Sequence, residues 1–347
     1  MLASELDYDL PREFIAQHPA ARRDESRLLT LNRTTGQIHH GVFRDILERL
    51  REGDVLVLND TRVVPAKLIG RRQTGGKVDT LLVREVRPGL WEVMLISTRK
   101  LTEGEPLTFE DGAIEATFRG RGAEGLPLIE FDDPAHLGEM LARRGRAPLP
   151  PYIKRNAFAD TFRAEDIERY QTVYAARQGA IAAPTAGLHY TPELLEALEA
   201  KGVSLETLTL HVGPGTFRPI KTATIEEHRV DPEHYKVPAG LPERILAARA
   251  AGRRIVSVGT TACRTLETLA RMQEGKWQLE GQADLFIYPP FEFKWVDVLQ
   301  TNFHVPRSSL LALVFAFAGR ARILAAYEEA KARGYRFYSY GDAMLII

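Results

Sequence analysis

Apolar residues recur along this chain with two different spacings, and the change between them marks its organisation. From about Ala66 to Asp133, short alternating runs predict strands at Val78–Val86, Leu90–Ser97, Pro106–Glu110, Ala113–Arg119 and Leu126–Phe131, parted by turns rich in Gly, Pro and Asp. Asp111-Gly112, between LTFE and AIEATF, predicts a tight hairpin because glycine adopts positive φ freely. Five short strands so spaced predict a small barrel or sandwich.

On either side the pattern alternates between helix and strand. Leu241–Gly252 reads as a helix closed by glycine, Arg254–Val258 as a strand, and Thr260–Met272 as a second helix. Upstream, Asp54–Leu58 (DVLVL, after Gly53) is another buried strand, so the β-rich stretch interrupts an α/β domain and does not follow it. The helix Ala321–Arg333 stops at Gly334, and YRFYSYGDAMLII closes the chain as a strand. The fold class expected is therefore an α/β main domain (1–65 and 149–347) carrying an inserted small all-β, barrel-like domain (66–148).

Composition narrows the function classes. A chain of 347 residues has room for two domains, and 44% hydrophobic with 27% charged residues is ordinary for a globular protein. Lys plus Arg and Asp plus Glu both number 46, so a polyanionic partner must be held by a local patch, and a histone-like protein is excluded. Cys263 is the one cysteine, which rules out an intramolecular disulfide or a cysteine zinc cluster and fits a reducing cytoplasm. Glu5, Asp7 and Asp9 stand where a signal peptide would be basic and then apolar. Leu310–Ala318, the longest apolar run, is about half of the roughly 20 residues that span a bilayer and reads as a core element. A cytoplasmic protein with no membrane contact, monomeric by default, is expected.

Arg143, Arg144, Arg146, Lys154 and Arg155 form a basic run without an acidic residue between Leu141 and Arg155. Its stiff Pro148–Tyr152 segment, PLPPY, reads as a return linker between domains, and the run serves either as a solvated hinge or as a nucleic-acid contact.

Four blocks join small residues and hydroxyls to candidate chemistry. Pro184–Thr191 (PTAGLHYT) carries Thr185, Gly187 and His189 and leads into a helix with Thr191 as cap and Pro192 at its first position. Leu208–Phe217 (LTLHVGPGTF) carries His211, Gly215, Thr216 and Phe217, a substrate loop but not a dinucleotide fingerprint, because Arg218 stands where a third glycine belongs. Val258–Arg264 (VGTTACR) opens a helix that Thr260 or Thr261 would cap, its amides facing a carboxylate or phosphate, although ordinary capping accounts for the threonines equally well. Leu299–Pro306 (LQTNFHVP) offers Asn302 to read a base edge, Phe303 to stack on a base, and His304. Taken singly each histidine is more often structural; three in matching loops point to one shared site. A three-histidine zinc centre is the minority alternative, weighed against the lack of any HxH or HExxH spacing.

These blocks, with Asp9-Leu10-Pro11, Arg23–Leu28 (RDESRL), Val57–Val63 (VLNDTRV), Leu149–Ile153 (LPPYI), Arg169–Tyr174 (RYQTVY) and SYGDAML, run in an order that resembles the S-adenosylmethionine:tRNA ribosyltransferase-isomerases of queuosine biosynthesis over essentially the whole chain. Two places depart: Asp231 stands near where a second histidine usually follows His228, and Pro290-Phe291 replaces a customary Gly-Tyr, so roles are not carried over to His228 or Phe291. The resemblance implies an α/β domain with an inserted barrel. It also implies transfer and isomerisation of the ribosyl part of S-adenosylmethionine onto 7-aminomethyl-7-deazaguanine in the wobble position of a tRNA, giving epoxyqueuosine and releasing adenine and methionine. S-adenosylmethionine is then a co-substrate, and no metal, nicotinamide or other prosthetic group is implied.

That chemistry assigns expectations. The sulfonium acidifies C5′, so a base is needed, and an imidazole with an ordinary pKa of about 6.5 suits the task. His189, His211 or His304 is that base, unranked, with Asp60 paired to Arg62 nearby. Thr260 and Thr261 suit the methionine carboxylate. Tyr152, Tyr174, Phe217 and Phe303 are stacking candidates for adenine or the flipped base, with one or two expected to serve. Tyr170, Gln171 and Arg264 complete the substrate-binding set, and the basic run would grip anticodon-stem phosphates. A non-catalytic RNA-binding protein would account for the basic run and aromatics but not for the imidazole loops; a metal-dependent hydrolase is the other rival.

Overall fold

The structure, a computed structural model, describes every residue except 98–99, 124, 156–160, 214 and 216–218. In chain order, β1 (Arg27–Leu31), β2 (Ile38–Val42), a one-turn α1 (Ile46–Arg49), β3 (Val55–Asn59) and β4 (Thr61–Val63) come first. Six strands follow: β5 (Lys67–Arg72), β6 (Lys77–Arg87), β7 (Leu90–Ser97), β8 (Pro106–Phe109), β9 (Ile114–Arg121) and β10 (Pro127–Phe131). Then come α2 (Leu137–Arg144), α3 (Arg163–Arg169), β11 (Arg177–Ala180), α4 (Pro192–Ala200), β12 (Ser204–Leu210), β13 (Glu233–Lys236), α5 (Leu241–Ala250) and β14 (Ile255–Val258). The chain ends with α6 (Gly259–Leu269), β15 (Glu280–Ala283), β16 (Val298–Asn302), α7 (Ser309–Ala318), α8 (Arg320–Ala332) and β17 (Ala343–Ile346). It divides into two compact units, one of 1–62, 150–154 and 171–347, the other of 63–149 and 155–170.

The first unit is built on a nine-stranded mixed sheet in the order β15-β13-β12-β3-β14-β16-β17-β1-β2. Its centre, β12-β3-β14-β16, is parallel. Parallel strands are covered on both faces, which is why β3, β14 and β16 are buried at every position; β3 and β14 read as largely apolar runs, whereas β16 (VLQTN) buries Gln300, Thr301 and Asn302. One face packs on Ile245, Leu266, Val314 and Tyr327 from α5 to α8; the other packs on Phe43, Ile46, Leu194 and Leu198. The uniformly apolar α7 is thus a core helix. Among the described residues no single helix is long and apolar enough to cross a membrane, and α7 and α8 meet at a 111° bend.

The second unit carries a closed antiparallel barrel, β10-β7-β6-β5-β8-β9, with six strands where five are expected. β5 hides its alternation behind Gly70 and its basic residues, yet Gly70 is required: a Cβ there would meet the Phe109 ring at 2.4 Å. The Asp111-Gly112 hairpin is wider than the expected tight turn. Phe109 pairs with Ile114, and Glu110, Asp111 and Gly112 all take positive φ, so a four-residue loop joins the strands. The closing strand is also shorter than predicted, because Tyr338 (φ 74°) turns the chain before β17 begins at Ala343.

Candidate active site

The parallel strands β12, β3, β14 and β16 end at Leu210, Asn59, Val258 and Asn302; three of the four candidate blocks run out from the ends of β12, β14 and β16, while PTAGLHYT follows β11 of the separate β4–β11 pair. From β3 the chain adds β12 on one side, then β14 and β16 on the other, and ligands of open α/β sheets bind outside the strand ends where the order reverses in this way. Asn59 ties the edge together. Its Oδ1 accepts from the Leu210 (3.0 Å) and Thr61 (3.2 Å) amides, while its Nδ2 donates to the Leu210 carbonyl (3.0 Å) and Thr261 Oγ1 (3.2 Å).

Outside this edge runs a cleft of three chambers. A narrow one of about 40 Å³ is lined by Thr185, Thr260, Thr261, Asn302, His304 and Tyr338. A second, small chamber shares Thr260 and Thr261 with it and shares Glu233 and Arg264 with a third chamber of about 390 Å³. The start of α6 faces the narrow chamber, but neither threonine caps it: Val258 occupies the cap position and offers no side-chain bond. Gly259 begins the helix at φ 85°, with Ala186 3.2 Å from where a Cβ would stand. The expected Thr191 cap of α4 is present, its side chain accepting from the Leu194 amide.

The three histidines share this region but not the same freedom. His189 is buried, stacked 4.9 Å from Phe43, with Nδ1 2.7 Å from Ser26 Oγ and Nε2 3.1 Å from Asn302 Nδ2. His304 is buried too, with Nε2 2.8 Å from Thr301 Oγ1; its amide donates to the Tyr327 hydroxyl and its carbonyl accepts from Tyr8. Burial pushes the pKa of each down to about 3, helped at His189 by Arg336 and Arg23. His211 is half-buried; burial and His234 lower its pKa, while Asp60 opposes them. Its Nδ1 lies 2.8 Å from Thr61 Oγ1, and Nε2 has no hydrogen-bond partner among the described residues. A base that has lost its proton affinity to burial is a poor acceptor. That ranks His211 above His189 and His304.

Asp60 is buried and takes the Thr209 hydroxyl at 2.5 Å, but its cationic neighbour is Arg177 at 3.8 Å; the expected Arg62 is exposed. Phe303 is not a stacking platform: it is fully buried among Tyr327, Tyr335 and Phe337, packed into the core behind the end of β16. Gly187 is a packing glycine, since a Cβ would fall 2.0 Å from the Tyr174 hydroxyl, and Tyr174 is committed to that contact. Tyr152 stays half-buried, edge-on to Tyr338 at 4.6 Å. Tyr170 is buried in the barrel unit and Gln171 is half-buried. Gly215 and Arg264 line the large chamber, whereas Thr216 and Phe217 lie outside the described residues.

The basic run is not a uniform patch. Arg155 makes a two-pronged pair with buried Asp166 (both 2.8 Å), Arg146 pairs with Glu110 at 3.4 Å, and the exposed Arg143 pairs with Glu139 at 2.6 Å; Arg144 and Lys154 are exposed as well. Among the described residues no three of His, Cys, Asp and Glu gather as a metal site. Sequence reasoning assigned no role to Ser26, Tyr338 or Ser339. Tyr338 and Ser339 line the narrow chamber and Ser26 orients His189; Ser26 and Ser339 were signalled by membership of the RDESRL and SYGDAML blocks, and Tyr338 by its place immediately before the second.

A family described as "Queuosine biosynthesis protein" matches residues 3–346. Curated proteins named S-adenosylmethionine:tRNA ribosyltransferase-isomerase are 48% identical in Thermotoga maritima (over 350 residues) and 48% identical in Pelobacter propionicus (over 348 residues), in both cases across 100% of this chain and of the relative. A crystal structure of S-adenosylmethionine tRNA ribosyltransferase from Thermotoga maritima matches at 39% identity with a TM-score of 0.55, covering 99% of this chain and 100% of that one.

Proposed function

Because the chain belongs to the queuosine biosynthesis protein family, we propose that it acts as an S-adenosylmethionine:tRNA ribosyltransferase-isomerase, with its chemistry in the cleft at the parallel-strand ends. The observation that carries this reading is correspondence over the full length, both units included, with relatives of that name. Here the co-substrate is S-adenosylmethionine and the acceptor is 7-aminomethyl-7-deazaguanine in a tRNA wobble position; adenine and methionine leave, and epoxyqueuosine is formed.

His211 acts as the base. With its Nδ1 proton donated to Thr61, the Nε2 lone pair takes the C5′ proton that the adjacent sulfonium acidifies. The ylide so formed expels adenine and opens the ribose to attack by the aminomethyl nitrogen. Asp60, held by Thr209 and Arg177, stabilises the imidazolium through space. The first-turn amides of α6 supply donors along the narrow chamber, and Tyr152 is the remaining described aromatic suited to stack on a base.

The test is incubation with S-adenosylmethionine and an anticodon stem-loop bearing 7-aminomethyl-7-deazaguanine, following adenine, methionine and the RNA nucleoside mass together. Coupled release with an epoxyqueuosine mass is expected. RNA binding without release would favour the non-catalytic reading. Alanine at His211 should abolish solvent-deuterium exchange at C5′, and full exchange in that variant would remove it from the role of base.

A further inference from the structure

The large chamber has a composition that a phosphate or a simple cation would not match. Lys221, Arg229 and Arg264 face it together with Asp231 and Glu233, so both signs of charge line one space of about 390 Å³. Glu233 is buried; its Oε1 accepts from the Gly213 amide at 2.8 Å, and its other oxygen accepts from Arg264 Nη2. Arg264 keeps a donor in hand, because its buried Nε–H has no partner among the described residues. Asp231 is half-buried, its Oδ2 lying 2.3 Å from where a Cβ on Gly215 would stand, so glycine at that position leaves room for the carboxylate. A polyanion entering here would meet two carboxylates, and a lone cation would meet three basic side chains. A ligand with one carboxylate and one ammonium close together satisfies both sets.

We propose that this chamber binds the α-amino-acid end of S-adenosylmethionine as a zwitterion, its carboxylate on Arg264 and Lys221 and its ammonium on Asp231 and Glu233. This rests on the reading that the cleft takes S-adenosylmethionine. It moves the carboxylate from the start of α6, where Thr260 and Thr261 stand, about one helical turn along to Arg264. The chambers share walls, Thr260 and Thr261 between the narrow and the small one and Glu233 and Arg264 between the small and the large one, so the adenosyl part lies toward Thr260 and Asn302 and the amino-acid part toward Asp231.

The experiment compares S-adenosylmethionine with its decarboxylated analogue as substrates at saturating RNA. The wild-type protein should prefer the intact molecule by about 30-fold or more in kcat/KM, the scale of one charge-assisted hydrogen bond, and Arg264→Lys should narrow that preference several-fold. Arg264 is paired and mostly buried, so Asp231→Asn at a half-buried position provides a second arm. It should raise KM for S-adenosylmethionine by about tenfold with kcat within about threefold. Equal use of the two substrates by the wild type, or an Asp231→Asn protein with unchanged KM, overturns the zwitterion site while leaving the enzyme reading intact. Absence of turnover by the wild-type protein with S-adenosylmethionine overturns that reading and this one with it.

Discussion

Gly179 lies flat against His211: a Cβ on Gly179 would stand 2.7 Å from the ring Cε1 and 2.9 Å from both ring nitrogens. Gly179 also sits at φ 147°, outside the range of ordinary side chains, so β11 reserves this position for the imidazole. Gly179→Ala should push His211 off Thr61 and lower kcat by about tenfold or more, at a backbone cost of about 1–3 kcal/mol. Steady-state kinetics beside a denaturation curve checks this. Full activity in a folded Gly179→Ala protein would detach His211 from the chemistry.

Asn59 makes four side-chain hydrogen bonds from a fully buried position, two of them to the main chain of Leu210. Asn59→Ala strands those partners without water, for which about 2–4 kcal/mol of destabilisation is expected. The bonds to Thr61 and Thr261 go at the same time, so activity should fall in protein that is still folded. Urea unfolding measures the first effect, and a destabilisation below about 1 kcal/mol would mean that the clamp contributes little.

Acid should destabilise the protein through His189 and His304. Each has a folded pKa of about 3 against an ordinary 6.5, so between those values the unfolded chain binds protons that the folded chain refuses. This contribution is fully present above pH 6.5 and is lost as pH falls toward 3, at about 1.4 kcal/mol per pH unit for each residue. Denaturant midpoints measured from pH 7 down to pH 4.5 should show the slope, and a His189→Gln, His304→Gln double variant should flatten it. The same slope in both proteins would place the acid sensitivity elsewhere.

The fold was legible wherever a single periodicity held. Buried parallel strands such as β3 and β14 betray themselves as apolar runs, and β6 alternates as a barrel wall should. β5 escaped because its glycine serves the Phe109 ring, a packing relation that no local pattern encodes. The site loops were legible because small residues and imidazoles follow strand ends. Which imidazole stays open was not, for it depends on partners far away in the chain: Ser26 reaches His189 across 163 positions, and Thr61 reaches His211 across 150. Phe303 misled for a related reason, since a motif names a residue type and only the packing around the strand end decides which way it faces. The Asp60–Arg62 pairing failed against Arg177, which arrives on a separate strand.

The basic run should separate into two kinds of arginine and lysine. Arg144 and Lys154 are exposed, so their replacement by alanine should weaken RNA binding across sequences and reduce the salt slope of log K by about 0.9 for each phosphate no longer neutralised. Arg155 is different: its two hydrogen bonds to Asp166 hold a buried carboxylate, so Arg155→Ala should cost about 3 kcal/mol or more of stability before any RNA is added. Binding to an anticodon stem-loop titrated at several salt concentrations, beside thermal melts of the free proteins, distinguishes the two classes. A steep fall in RNA affinity in Arg155→Ala with an unchanged melt would place that guanidinium on the nucleic acid. Salt-independent binding by the wild-type protein would exclude phosphate binding by the run altogether.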